Sequence, residues 1–176
     1  MIDFSSILKC KACQLADVRR QVVIGRGRIP ASILAMGEAP GRSEDMLGKA
    51  FIGEAGRLLD ILFIDVGIDI EDVYRTNIVL CHPSDKFAGN NREPAPDEII
   101  ACMGNVLTII DAIKPQWIIL VGDYAFRYYS KTFPGAFHIM HPAALLRSGG
   151  QSSPYYVKQK RILQMLVERI KSNVSN

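Results

Sequence analysis

Two short apolar runs, Ile33-Leu34-Ala35-Met36 and Trp117-Ile118-Ile119-Leu120-Val121, each stop at a glycine, Gly37 or Gly122. Runs this short and this apolar read as buried strands, and strands buried on both faces need helices to cover them. The rest of the sequence supplies those helices. Leu58, Leu59, Leu62 and Phe63 recur at helical spacing and predict a helix of about ten residues starting near Glu54. Residues 73–80 read as a second buried strand, and a loop of turn formers follows it, with Pro83, Gly89, Asn90, Asn91, Pro94 and Pro96. Asp97 then opens a helix whose stripe is Ile99, Ile100, Met103, Val106, Leu107 and Ile110. Asp123 caps a short helix reaching Lys131, residues 137–140 form a fourth strand, and residues 155–171 form a closing helix. Strands alternating with helices give an α/β fold around a parallel sheet.

In such a sheet, ligands bind beyond the carboxyl ends of the strands. Three of those ends are polar or turn-forming: residues 37–41, residues 77–81 and His141-Pro142. They are expected to converge on one cleft. The first opens the glycine-rich stretch GEAPGRSEDMLGKAFIGEAG, which can bring backbone N–H groups close to a phosphate, although neither familiar nucleotide fingerprint is present.

With 176 residues, 48% of them hydrophobic, the chain is expected to form a single ordered domain, residues 1–176. No apolar run is as long as the roughly 20 residues of a membrane span, and MIDFSSILKCKAC lacks the layout of a signal peptide. The expected location is the cytoplasm, with the genome. The net charge of +3 permits nucleic-acid binding without demanding it. Arg19, Arg20, Arg26 and Arg28 cluster early, while the basic residues of the closing helix read as a solvated face.

Cys10 and Cys13 form a CxxC pair, and Cys81 and Cys102 stand apart from them. In an intracellular protein such a set points to metal ligation rather than disulfides, although Cys102 at helical spacing also suits a core position. Zinc and an iron–sulfur cluster both accept four thiolates, and the wide interval between Cys81 and Cys102 leans toward the cluster. Gln14 after Cys13 excludes covalent haem attachment.

The segments GEAPGRSEDMLGKAFIGEAGRLLD, TNIVLC, NREPAPDEIIAC and HPAALLR, in that order, resemble the family 4 uracil-DNA glycosylases, and the likeness runs from Cys10 to Arg147. The resemblance implies a three-layer α/β/α fold with a central four-stranded parallel sheet. It also implies a 4Fe-4S cluster on Cys10, Cys13, Cys81 and Cys102, and removal of uracil from DNA. Gly37 and Glu38 would lie at the uracil, Phe51 would be its stacking floor, Asn77 would read its O4/N3–H edge, and His141 would stabilise the leaving anion at O2 as a neutral donor. Glu38, Glu44 and Asp45 are the acids placed to orient uracil or position water, and the loop carrying Glu44 and Asp45 would form the wall against thymine's methyl. Gly41 and Gly53 would approach the DNA backbone. Leu145 or Leu146 would fill the vacated base position, with Arg147 near a phosphate. Ala39 stands where more distant uracil glycosylases carry an aspartate. His82 and His138 have no counterpart and read as structural or exposed. Residues 84–89 look like an insertion; a related branch attaches covalently to DNA through a histidine in this region, and the insertion here contains none.

The expected partners are uracil-containing DNA and free uracil, with no membrane. The expected state is a monomer, and no lysine is implicated as a lyase nucleophile. An alternative is a protein of the same superfamily that binds uracil-containing or single-stranded DNA with little hydrolysis. A zinc-stabilised nucleotide-binding domain is a third.

Overall fold

The computed structural model describes residues 3–87 and 89–174. Two four-residue helices, α1 (Ser5–Leu8) and α2 (Leu15–Val18), flank the CxxC pair. Strand β1 (Ile33–Gly37) leads through α3 (Arg42–Leu47), α4 (Glu54–Asp65) and a 3-10 turn (Ile70–Asp72) to β2 (Val73–Asn77). Then follow α5 (Pro96–Ile113), β3 (Trp117–Val121), α6 (Asp123–Tyr129), β4 (Phe137–Ile139) and α7 (Pro142–Arg147). A second 3-10 turn (Gly150–Ser152) precedes α8 (Pro154–Val174).

The four strands are all parallel, in the order β2-β1-β3-β4. Because strand side chains alternate in direction, each apolar strand feeds two layers. Leu34, Met36 and Leu120 pack with α5 and α6 residues such as Ile99, Val106, Ile109 and Tyr129. Ile33, Ala35, Ile119 and Val121 pack with Leu59, Leu62 and Phe63 of α4 and Leu163 and Leu166 of α8. The result is the three-layer α/β/α arrangement expected of a sheet apolar on both faces. Among the described residues, no helix is long and apolar enough to cross a membrane.

Several element ends differ from the expected ones for local reasons. β2 stops at Asn77, level with Gly37 on β1. Ile78 and Val79 continue as buried loop, donating N–H groups to the carbonyls of Gly37 and Glu38 at 2.9 and 3.1 Å. α5 starts at Pro96, where a missing N–H costs nothing, and Glu98 reaches back to accept the Ala95 N–H at 2.8 Å. Asp123 is the first residue of α6 rather than its cap, the position before it being Gly122. Helices α1, α2 and α3 have four to six residues, too few for their periodicity to stand out in the sequence.

Candidate active site and cysteine pocket

The level ends of β1 and β2, the turn before α4 and the start of α7 enclose a cavity of about 200 Å³. Its floor is Phe51. This residue holds a left-handed backbone, φ 54°, in a region that side chains seldom occupy. Two glycines leave the room it needs. A Cβ on Gly56 would lie 1.9 Å from the Phe51 carbonyl oxygen, and a Cβ on Gly37 would lie 2.5 Å from the ring. Any side chain at either position would therefore displace the floor. Across the cavity the His141 ring stands 6.4 Å from the Phe51 ring, tilted by 34°.

Asn77 ends β2 with 2% of its surface exposed and lines the cavity. Among the described residues its side-chain amide has no hydrogen-bonding partner, which leaves one acceptor and two donor hydrogens for a ligand. Gly53, the N-cap of α4, and residues 54–56 of its first turn also line the cavity, and helix geometry leaves the N–H groups of residues 54–56 without intrahelical partners.

His141 is the N-cap of α7. Its Nδ1 accepts the Ala143 N–H at 3.3 Å, so the ring proton of the neutral form sits on Nε2. Burial pushes its pKa down to about 4, with the positive charge of Arg147 acting in the same direction. At neutral pH His141 is thus an uncharged Nε2–H donor, which suits developing negative charge in a ligand.

The acids divide. Glu44 lines the cavity, but its Oε1 accepts the Ile52 and Gly53 N–H groups at 3.1 and 2.9 Å, which ties the loop together. Asp45 is 1% exposed, does not line the cavity, and accepts the Arg20 N–H at 3.0 Å; it anchors α3 to the N-terminal segment. Glu38 is not among the lining residues either; burial, reinforced by the nearby Glu93 carboxylate, raises its pKa. Ala39, Gly41 and Gly53 line the cavity, and no acid occupies the Ala39 position. Leu145 is fully buried in the core, Leu146 is partly exposed, and Arg147 is exposed, so only Leu146 of the two leucines is free to leave the surface.

Several lining residues stand outside the site set expected from sequence, and Asn91 is the one with a polar partner of its own. Asn91 faces the cavity, and its Oδ1 lies 2.7 Å from Nε2 of His82, which is fully buried. Asn91 belongs to the quoted NREP segment, but nothing in sequence spacing couples it to a histidine nine residues away.

The four cysteines line a separate small pocket between α2, the loop after β2 and α5. Its sulfurs have donors: Arg19 Nη1 to Cys81 at 3.2 Å, Asn105 Nδ2 to Cys10 at 3.2 Å, and the Leu80 N–H to Cys102 at 3.3 Å. Burial pushes the Cys81 thiol up to about 11 and the Cys102 thiol up to about 12, and also raises Cys13. Among the described residues, no group of three or more His, Cys, Asp or Glu side chains is arranged to hold a metal ion. Beside the pocket, buried Glu98 accepts from Arg92 at 2.6 and 2.9 Å, and from Gln14 at 3.2 Å. Burial alone would raise its pKa, but these bonds and the Ala95 N–H together hold it below the usual carboxylate range.

A cavity with an aromatic floor at the strand ends of a parallel α/β domain lies where such folds bind their small ligands. The sequence model of the Uracil DNA glycosylase superfamily matches residues 24–165, and the chain belongs to that superfamily. It is similar to the type-4 uracil-DNA glycosylase of Saccharolobus solfataricus, 41% identical over 126 residues, which cover 71% of this chain and 56% of that protein. The type-4 enzyme of Archaeoglobus fulgidus is 37% identical over 127 residues, covering 72% and 61%. That of Sulfurisphaera tokodaii is 34% identical over 158 residues, covering 89% and 67%. The matches to the first two thus span less than two thirds of those proteins' length. The resemblance drawn from the four motifs and the expected fold are both borne out.

Proposed function

We propose that the protein is a monofunctional uracil-DNA glycosylase, which takes a uracil nucleotide flipped out of DNA and hydrolyses its N-glycosidic bond, leaving an abasic site. One observation carries the reading: a stacking ring, an unpartnered amide and a neutral imidazole donor, Phe51, Asn77 and His141, share one cavity.

Flipping costs a few kcal/mol, recovered in part by stacking on Phe51 and by filling the gap in the duplex. Leu146 is the residue for that gap, with Arg147 at a neighbouring phosphate. The Asn77 amide donates from Nδ2 to uracil O4 and accepts N3–H at Oδ1; cytosine presents the opposite pattern on that edge. As the C1′–N1 bond breaks, its electron pair passes into the uracil ring and charge builds at O2. The His141 Nε2–H donates there, and a preorganised donor of this kind is worth about 3–4 kcal/mol. The unpaired N–H groups at the start of α4 favour the same negative charge. Water adds through oxygen to C1′ of the cationic sugar and loses its proton, which neutralises the departing uracil anion through solvent.

Asn91 is the group suited to positioning that water, because it faces the cavity with its orientation set by His82. Glu44 serves the reaction by holding residues 52 and 53 in place, and Asp45 by fixing α3.

Cys10, Cys13, Cys81 and Cys102 would hold a 4Fe-4S cluster. The donor set fits: four thiols line one pocket, and three of them receive N–H groups. Bound there, the cluster would tie the N-terminal segment, the loop after β2 and α5 together in a structural role. The protein is read as one domain acting as a monomer on uracil-containing DNA.

Chromatography of the small molecules released from a uracil-containing oligonucleotide tests the proposal. Free uracil is expected from the wild-type protein and a large loss of release from Asn77→Ala; equal release from both would remove Asn77 from recognition.

A further inference from the structure

The strained conformation of Phe51 poses the question of what holds its peptide in place. Its carbonyl oxygen accepts a hydrogen bond from Arg26 Nη2 at 3.2 Å. The same nitrogen, which carries two hydrogens, reaches Asp60 Oδ2 at 2.7 Å. The other Asp60 oxygen lies 2.8 Å from Nε of Arg75, a residue 3% exposed in β2. Arg75 in turn spends Nη1 on the carbonyls of Ile70 and Val73 at 3.1 and 2.9 Å. The backbones of Arg26 and Arg75 also exchange two N–H···O bonds of 2.8 Å, so both guanidiniums are held to one side of Asp60.

Burying Arg75 against the half-buried Asp60 is an expensive way to stabilise a sheet edge, since an apolar residue would pack as well without desolvating charge. The geometry makes sense as a clamp. Asp60 sits on α4, the helix whose Gly56 touches the Phe51 carbonyl, and Arg26 joins that helix to the same carbonyl. We propose that Arg26 is a positioning residue for uracil recognition: with Asp60 and Arg75 behind it, it locks the Phe51 peptide in its left-handed conformation and so keeps the ring as the cavity floor. The inference rests on the uracil reading above and adds a determinant of affinity outside the cavity, for Arg26 does not line it.

The test compares Arg26→Met, Arg26→Lys, Phe51→Ala and the double variant Arg26→Met/Phe51→Ala. Arg26→Met is expected to raise both the KM for a uracil-containing oligonucleotide and the inhibition constant of free uracil about tenfold, with kcat changed far less, as loss of binding shared by ground and transition states requires. Arg26→Lys, which keeps a cation beside Asp60, is expected to restore part of the loss, and it carries the test if Arg26→Met does not fold. On the Phe51→Ala background, Arg26→Met should add nothing. Unchanged uracil inhibition in Arg26→Met, or an equal rise with and without Phe51, would overturn the proposal. Amide hydrogen exchange at residues 51–53 needs no substrate. It should accelerate in Arg26→Met, and unchanged exchange also overturns the clamp. A wild-type protein that releases no uracil would instead overturn the glycosylase reading, leaving exchange to decide the clamp.

Discussion

The cavity and the cysteine pocket both draw on the segment that runs on from β2, and they treat their polar groups in opposite ways. In the cavity, among the described residues, the Asn77 side chain has no partner and His141 Nε2–H is left for a ligand. In the pocket, Cys10, Cys81 and Cys102 each have an N–H donor, and the adjacent Glu98 has three partners, Arg92, Gln14 and Ala95. Unsatisfied polar groups cost stability and are retained where a ligand completes them, whereas satisfied networks fix a structure. One region is prepared for a transient visitor and the other for permanent order.

Substitution should separate the two regions. The largest effect is expected in the pocket: Cys102→Ser should lower the iron content and the melting temperature together, the latter by more than about 10 °C if metal binding is coupled to folding. Thermal unfolding followed by circular dichroism, with iron determined on the same samples, reads this. An unchanged melting temperature would make the pocket dispensable and erase the contrast.

In the cavity, His141→Ala should cut turnover roughly 10²–10³-fold, since it removes the donor needed as charge develops, while the lost cap of α7 lowers the melting temperature by far less than Cys102→Ser does. Single-turnover kinetics alongside an uninhibited DNA-binding measurement distinguish lost chemistry from lost binding.

Acidification should affect stability more gently. The folded pKa of His141, about 4, lies below the value near 6.5 of an unfolded histidine, so the unfolded chain binds more protons between those limits. Stability should therefore fall as pH drops through that window, by at most about 3 kcal/mol. Glu98, also depressed, adds loss in the same direction at lower pH. Denaturant titrations of wild type and His141→Gln across the window should differ in slope, and parallel curves would remove His141 from the titration.

The smallest effect should come from the Asn91 amide. Asn91→Ala is expected to lower kcat about tenfold, His82→Ala somewhat less, and the double variant no more than Asn91→Ala alone. Additive losses would show that His82 acts elsewhere.

The sequence makes the frame legible because its cues are local. Apolar runs stopped by Gly37 and Gly122, and leucines recurring through α4, identify strands and a helix without knowledge of contacts. Phe51, Asn77 and His141 are picked out by motifs in fixed order, and the sheet brings their segments together. What stays hidden depends on contacts between distant residues. Glu44 and Asp45 look alike in sequence, yet one faces the cavity with an oxygen committed to Ile52 and Gly53, and the other is turned toward Arg20. Leu145 and Leu146 are adjacent, and only helix phase decides which enters the core. The left-handed turn at Phe51 has no signature at a phenylalanine, and the charges that hold it, Arg26, Asp60 and Arg75, are separated by long stretches of chain.

The most direct test of the central claim, that this cavity excises uracil and leaves the strand intact, uses end-labelled oligonucleotides with uracil, thymine or cytosine at one position. Each is incubated with the protein, treated with hot alkali or left untreated, and resolved on a gel. Strand scission is expected for uracil alone and only after alkali. An intact uracil strand after treatment with folded, iron-loaded protein, scission without alkali, or equal cutting at thymine would contradict that claim.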